Sequence, residues 1–138
     1  MARPTKSDVE ERQEFMQTIA DCAKNPSLFS EVFLGHKLFD YNQKYVNCKD
    51  RFIVYRSGRQ VGKTMSTAAK AVHFAFFAPL MLKTVKHECT IVIAAPTQNQ
   101  ATIMFDRIRS LVINSSFLKG YIVRNTQSEL WLNFLDNT

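Results

Sequence analysis

The chain has 138 residues, enough for one modest domain with a real core. Hydrophobic residues make up 46% and aromatic residues 12%, which excludes an intrinsically disordered chain. A net charge of +6 favours a polyanionic partner such as nucleic acid, but no dense Lys/Arg cluster marks where one would sit. Residues 1–6 read as a loose tail. Its charged start lacks an apolar core, so no secretory leader is expected. Ser7 and Glu10 form a capping-box pattern, serine at the N-cap and glutamate three residues later. Val9, Met16, Ile19 and Ala23 then follow helical spacing up to Asn25 and Pro26. Asn25 is placed to cap a second short helix, with Pro26 at its first position and Gly35 just past its end. That helix presents Leu28, Phe29, Val32 and Phe33. Asp40 is placed to cap a third short helix running through Val46.

Residues 51–55 form an apolar run that predicts the first core strand. The loop that follows reads Ser57, Gly58, Arg59, Gln60, Val61, Gly62, Lys63, Thr64 and opens a helix. Strand, glycine-containing loop and helix form the context of a phosphate-binding P-loop. Backbone N–H groups of such a loop line a concavity that suits an anion. The N-terminus of the following helix adds unpaired donors and partial positive charge. Lys63 is placed to reach the β- and γ-phosphates of ATP, and the Thr64 hydroxyl to hold Mg²⁺. The loop departs from the usual pattern at two points. Ser57 stands where the first glycine belongs, with Gly58 one place later, and Arg59 occupies a position usually held by a small or neutral residue. An ordinary tight turn between strand and helix is the competing reading.

The helix after the loop is predicted over residues 63–78, ending at Pro79, with Met65, Ala68, Ala69, Val72 and Phe76 facing inward. The surplus of apolar residues predicts burial on more than one side. The apolar stretch over 71–82 contains His73 and Pro79 and is too short to cross a bilayer, which needs about 20 residues. Residues 90–95 (Thr-Ile-Val-Ile-Ala-Ala) predict a second strand, as for the inside of a parallel sheet. A helix over 98–114 follows Pro96 and Thr97, with Ala101, Met104, Phe105, Ile108 and Leu111 on one face. The remainder reads as β-structure: a short strand over 121–123, then alternation over 129–134 with Leu130, Leu132 and Phe134 on one side. Strand–helix–strand–helix order predicts an α/β fold with a parallel sheet covered by helices. Cys22, Cys48 and Cys89 are odd in number and far apart, which argues against a disulfide framework. His87 and Cys89 lack the further ligands of a zinc site.

The variant loop with its internal Arg59, together with Ala95-Pro96-Thr97 and Gln100 after the second strand, resembles the large terminase subunits of tailed bacteriophages. These are the ATP-driven motors that package viral DNA into capsids. Residues 38–43 (Leu-Phe-Asp-Tyr-Asn-Gln) resemble that family's adenine-recognition segment, and residues 29–34 the short segment ahead of it. The resemblance covers roughly residue 28 to the end. It implies a P-loop NTPase core of the RecA/ASCE type over 51–138, incomplete in its sheet, behind an N-terminal helical segment over 1–50. It also implies ATP and Mg²⁺ as cofactors and double-stranded DNA as partner. In the full-length family protein the portal and the small terminase subunit are further partners. A ring of copies, the host cell cytoplasm as the place of action and no membrane association complete the expectation.

On that resemblance Arg59 would be a cis-acting arginine finger, with Arg56 a weaker candidate. It could equally be a surface arginine, or one that contacts DNA or a neighbouring subunit. Gln43 would read the adenine edge, or else complete a capping box with Asp40. Tyr41 would stack on the base, or stand as a surface aromatic. Thr97, Gln98 and Gln100 would couple nucleotide state to DNA, or cap the helix they open. Family members continue into a Walker B strand and a nuclease domain. After Lys63 the acidic residues are Glu88, Asp106, Glu129 and Asp136. Asp136 follows an apolar run but precedes Asn137 rather than glutamate. The chain is therefore expected to stop within a hairpin ahead of Walker B, as part of a longer motor, and to hydrolyse ATP poorly by itself. A helicase-type translocase, or a non-catalytic nucleotide- or DNA-binding module, shares the same early motifs.

Overall fold

The computed structural model describes residues 6–81 and 89–133. Five α-helices lead in chain order to a short 3-10 turn, Lys119–Tyr121, and two strands. The expectations placed on residues 1–5, His87, Glu88, Phe134 and Asp136 fall outside the described residues.

Helix α1 spans Lys6–Lys24. Ser7 is therefore inside the first turn and not at the N-cap, because a capping residue must stand outside the helix. Only the C-terminal third of α1 meets the core, through Ile19, Cys22 and Ala23, while Val9, Phe15 and Met16 are exposed. Helix α2, Pro26–Phe33, forms as its sequence predicts. The Asn25 side chain accepts from the Leu28 N–H at 3.3 Å, and Pro26 fills the first turn, where a missing N–H costs nothing. Gly35 follows the C-cap with φ of +70°, the left-handed conformation that ends helices. Helix α3, Asp40–Asn47, takes Phe39 as its N-cap residue without a side-chain bond. Asp40 is the first helical residue, where its charge suits the helix dipole, and it is not the cap.

Helix α4 spans Lys63–Met81 and passes Pro79 by two residues. A proline this close to the C-terminus removes one helical hydrogen bond from a turn that is already fraying, so the helix need not stop before it. Ser66, Ala68, Ala69, Val72, His73, Phe76, Phe77 and Ala78 are all buried, so α4 is covered on more than one side. Helix α5, Gln98–Asn114, has Thr97 at its N-cap, where the side chain accepts from the Gln100 N–H at 3.4 Å. Of the two roles open to Thr97, capping is the one observed.

One core joins α1, α2, α4, α5 and the C-terminal turn. Phe29 is its centre, with ring centroids of Phe33, His73, Phe76 and Phe77 all between 5.3 and 5.8 Å away. Leu34, Leu111, Val112 and Leu118 close it. Polar ties sit at the helix ends, where backbone groups are otherwise orphaned. Ser115 Oγ donates to the Phe33 carbonyl at 2.7 Å, fastening the end of α5 to the end of α2. Lys70 Nζ donates to the carbonyls of Val46 at 2.8 Å and Cys48 at 2.7 Å, closing the C-terminus of α3. Burial pushes the Lys70 ammonium below its ordinary pKa.

The sheet differs from its sequence prediction. Strands β1, Ile122–Asn125, and β2, Leu130–Leu132, pair antiparallel as a hairpin, with Ile122 opposite Leu132 and Asn125 opposite Leu130. A bulge falls between Ile122 and Arg124. Leu130 and Leu132 pack on the core while Trp131 faces out, the alternation the sequence shows. Arg109 donates to the Thr126 carbonyl at 2.8 Å and holds the hairpin turn against α5. The two core strands expected at 51–55 and 90–95 enter no ladder among the described residues. Phe52, Val54 and Val92 are 84%, 88% and 80% exposed. A strand becomes part of a ladder only beside a neighbouring strand, and no parallel partner is among the described residues. The fold described is helical with one small antiparallel sheet, not a parallel sheet.

Candidate functional site

The loop before α4 is shaped by two left-handed residues. Gln60 has φ of 58° and Gly62 of 76°, with Val61 between them in ordinary conformation. Alternation of this kind turns successive N–H groups toward one concavity, the geometry of an anion-binding nest. Glycine suits such a φ; glutamine at Gln60 is held there at a cost of about 1–2 kcal/mol. At Gly62 a second constraint applies. A Cβ there would lie 2.9 Å from Asn42 Nδ2 and 3.7 Å from the Phe39 ring. The close approach of α3 to the loop requires a residue without a side chain.

Asn42 makes that approach. It is 1% exposed, donates from Nδ2 to the Val61 carbonyl at 2.8 Å, and accepts from the Tyr55 hydroxyl at Oδ1. One buried amide thus ties α3, the segment before the loop and the loop itself. Tyr55 stacks on Tyr45 of α3, with centroids 4.1 Å apart and planes within 9°. On the helix side, Ser66 Oγ donates to the Gly62 carbonyl at 2.9 Å and the Lys63 carbonyl at 3.0 Å. The loop is held from both ends.

Between these supports lies a concavity of about 600 Å³. Ser57, Gly58, Arg59, Gln60, Gly62, Lys63 and Thr64 line it, with Met65 of α4 and Arg107 of α5. Lys63 Nζ donates across the loop to the Ser57 carbonyl at 3.3 Å. Ser57 Oγ is buried with no hydrogen-bond partner. Arg59, Lys63 and Arg107 bring three cations to this space, and none of its lining residues is acidic. An arrangement of this kind can hold a polyanion by backbone donors, helix dipole and charge together.

The motif residues Ser57, Gly58, Arg59, Gln60, Gly62, Lys63 and Thr64 meet here. Arg56, Thr97, Gln98 and Gln100 are not among the lining residues, and three more of the residues singled out from sequence have other engagements. Val61 is engaged through its carbonyl with Asn42 and is not among the lining residues. Tyr41 is exposed and stacks on Phe39, with centroids 5.4 Å apart, beside Gly62. Gln43 donates from Nε2 to the Leu38 carbonyl at 3.0 Å, so its amide anchors the residue ahead of α3 and completes no capping box with Asp40. Thr64 is exposed and lines the concavity, as Ser57 does. None of the residues lining the concavity is acidic; among the described residues Asp106 pairs with Arg109, and Glu129 with Arg124 at 3.4 Å. Among the described residues no group of three His, Cys, Asp or Glu side chains could hold a metal by itself.

Two residues central to the site escape a sequence reading. Asn42 sits between the two candidates Tyr41 and Gln43. Its spacing from Leu38 and Val46, one helical turn to either side, puts it on the buried face, and that periodicity is the signal that identifies it. Arg107 comes from a distant helix and leaves no local signal. No family model, curated protein or solved structure matches the chain. No helix among the described residues is long and apolar enough to cross a membrane.

Proposed function

We propose that the chain binds a nucleoside triphosphate at the loop over 57–64 and is the ATP-binding portion of a DNA-packaging motor of the terminase large-subunit type. The observation that carries the reading is the cationic concavity at the start of α4, floored by a loop with left-handed Gln60 and Gly62. Lys63 binds the β- and γ-phosphates, and Arg59 stands over the terminal one. Tyr41, stacked on Phe39, takes the base in this reading, while Gln43 would have to leave the Leu38 carbonyl to read it. Mg²⁺ bound with the nucleotide would neutralise phosphate charge, and Thr64 is its ligand from this chain.

The motor assignment rests on the order of three sequence features: the segment at 38–43, the variant loop, and Ala95-Pro96-Thr97 with Gln100. Double-stranded DNA, a portal, a small subunit, a ring of copies and action in the host cytoplasm belong to the same proposal. With no acidic residue among the described ones that line the concavity, this chain is expected to bind ATP far better than it hydrolyses it.

Thermal unfolding with and without Mg-ATP, on the native chain and on Lys63→Ala, tests the binding. Ligand at 100 times its Kd adds about 2.7 kcal/mol of stability. A shift in the native chain that vanishes in Lys63→Ala is the expected result. No shift in either protein sinks the reading. Rapid turnover by the native chain would refute the missing-carboxylate account.

A further inference from the structure

Arg107 belongs to no motif, yet it shares the concavity with Arg59, Lys63 and Thr64. Its surroundings leave it free to act there. Asp106, next to it in the chain, is taken by Arg109, and Arg109 is directed to the hairpin at the Thr126 carbonyl. Arg107 is exposed and has no hydrogen-bond or ion-pair partner among the described residues. It is also held in place. Met104, Ile108 and Leu111 pack α5 onto the core on both sides of it in sequence, and Thr97 fixes the start of the helix. The helix cannot turn Arg107 away without opening the core.

The loop and the start of α4 already provide Arg59 and Lys63 for a phosphate chain. A third cation from a separate element, in the same concavity, suits the phosphate that carries the most charge, the terminal one. Arginine suits that group because its planar fork pairs bidentately with phosphate oxygens. We infer that Arg107 pairs with the terminal phosphate and sets the preference of this site for a nucleoside triphosphate over a diphosphate. The inference rests on the phosphate-site reading above and adds to Arg59 a second arginine, from a separate helix, at the group that distinguishes the two nucleotides. It also makes α5 the element that registers whether the terminal phosphate is present.

Affinities for ADP and for the β,γ-imido analogue of ATP, measured by calorimetry on four proteins, test it. In Arg107→Ala the triphosphate analogue is expected to lose about tenfold in affinity, 1.4 kcal/mol, with a much smaller change for ADP, so the ratio between them collapses. Arg107→Lys keeps the charge but not the fork and should recover only part of the ratio. Lys63→Ala should weaken both ligands. If Arg107→Ala leaves the ratio as in the native chain, whether by weakening both nucleotides equally or neither, the role of Arg107 is overturned and the loop reading stands. If the native chain binds neither nucleotide, both fall.

Discussion

The helical core and the two apolar segments at 52–54 and 90–95 are similarly hydrophobic in sequence and opposite in structure. Around Phe29 the helices bury apolar side chains against one another, and polar groups at the helix ends find partners in Ser115 and Lys70. At Phe52, Val54 and Val92 equally apolar side chains stand in the open. The difference lies in the backbone. A helix satisfies its own N–H and C=O groups and needs only one face covered. A strand satisfies nothing alone, so its sequence signal becomes structure only beside a partner. The loop over 57–64 joins the two regimes: its start leaves the unpaired segment and its end begins the best-covered helix.

Phe29→Ala should cut deepest, because it empties the centre of the aromatic cluster. A loss of about 3–5 kcal/mol in urea unfolding is expected. A loss below about 1 kcal/mol, the level of an ordinary substitution, would mean that the cluster is not the centre of stability. Asn42→Leu should come next. It strands the Val61 carbonyl and the Tyr55 hydroxyl, costing about 1–3 kcal/mol. Nucleotide affinity should fall with it, since the loop loses its tie to α3. A variant as stable as the native chain would break the link drawn between the core and the loop.

His73 gives a pH test of the covered region. Its Nε2 bonds to the Cys22 carbonyl at 2.9 Å, yet burial pushes its pKa below the ordinary 6.5. The unfolded chain therefore takes up a proton at a higher pH than the folded one. The stability held by neutral His73 is complete above pH 6.5 and drains away as pH falls below it. Unfolding free energy measured from pH 7 to 5 should decline, and decline less in His73→Gln. An identical slope in the variant would remove His73 as the cause. Val54→Thr and Val92→Thr should do least. Both side chains are exposed, so changes within about 0.5 kcal/mol are expected, and a larger loss would show that these segments are covered in solution.

The same contrast explains what was legible in the sequence. Asn25, Pro26 and Gly35 punctuate α2 locally, and Thr97 marks the start of α5, so those helices are readable from a few residues. The start of α4 was legible because Gly62, with its left-handed φ, stands just before the first helical residue, Lys63. The parallel sheet was inferred from apolar runs, and a run carries no sign of its partner; the described residues pair only the hairpin. In the site, Lys63, Thr64 and Arg59 were visible as a motif. Asn42 and Arg107 were not, because their importance comes from contacts across the fold.

The most direct test of the central claim is the amide spectrum of the isotopically labelled chain during titration with Mg-ATP. The nest account predicts that the largest shifts fall on the N–H signals of residues 58–64 and the first turn of α4, with Arg107 of α5 following and the Phe29 cluster unmoved. Shifts confined to other surfaces, or none at saturating nucleotide, would contradict it.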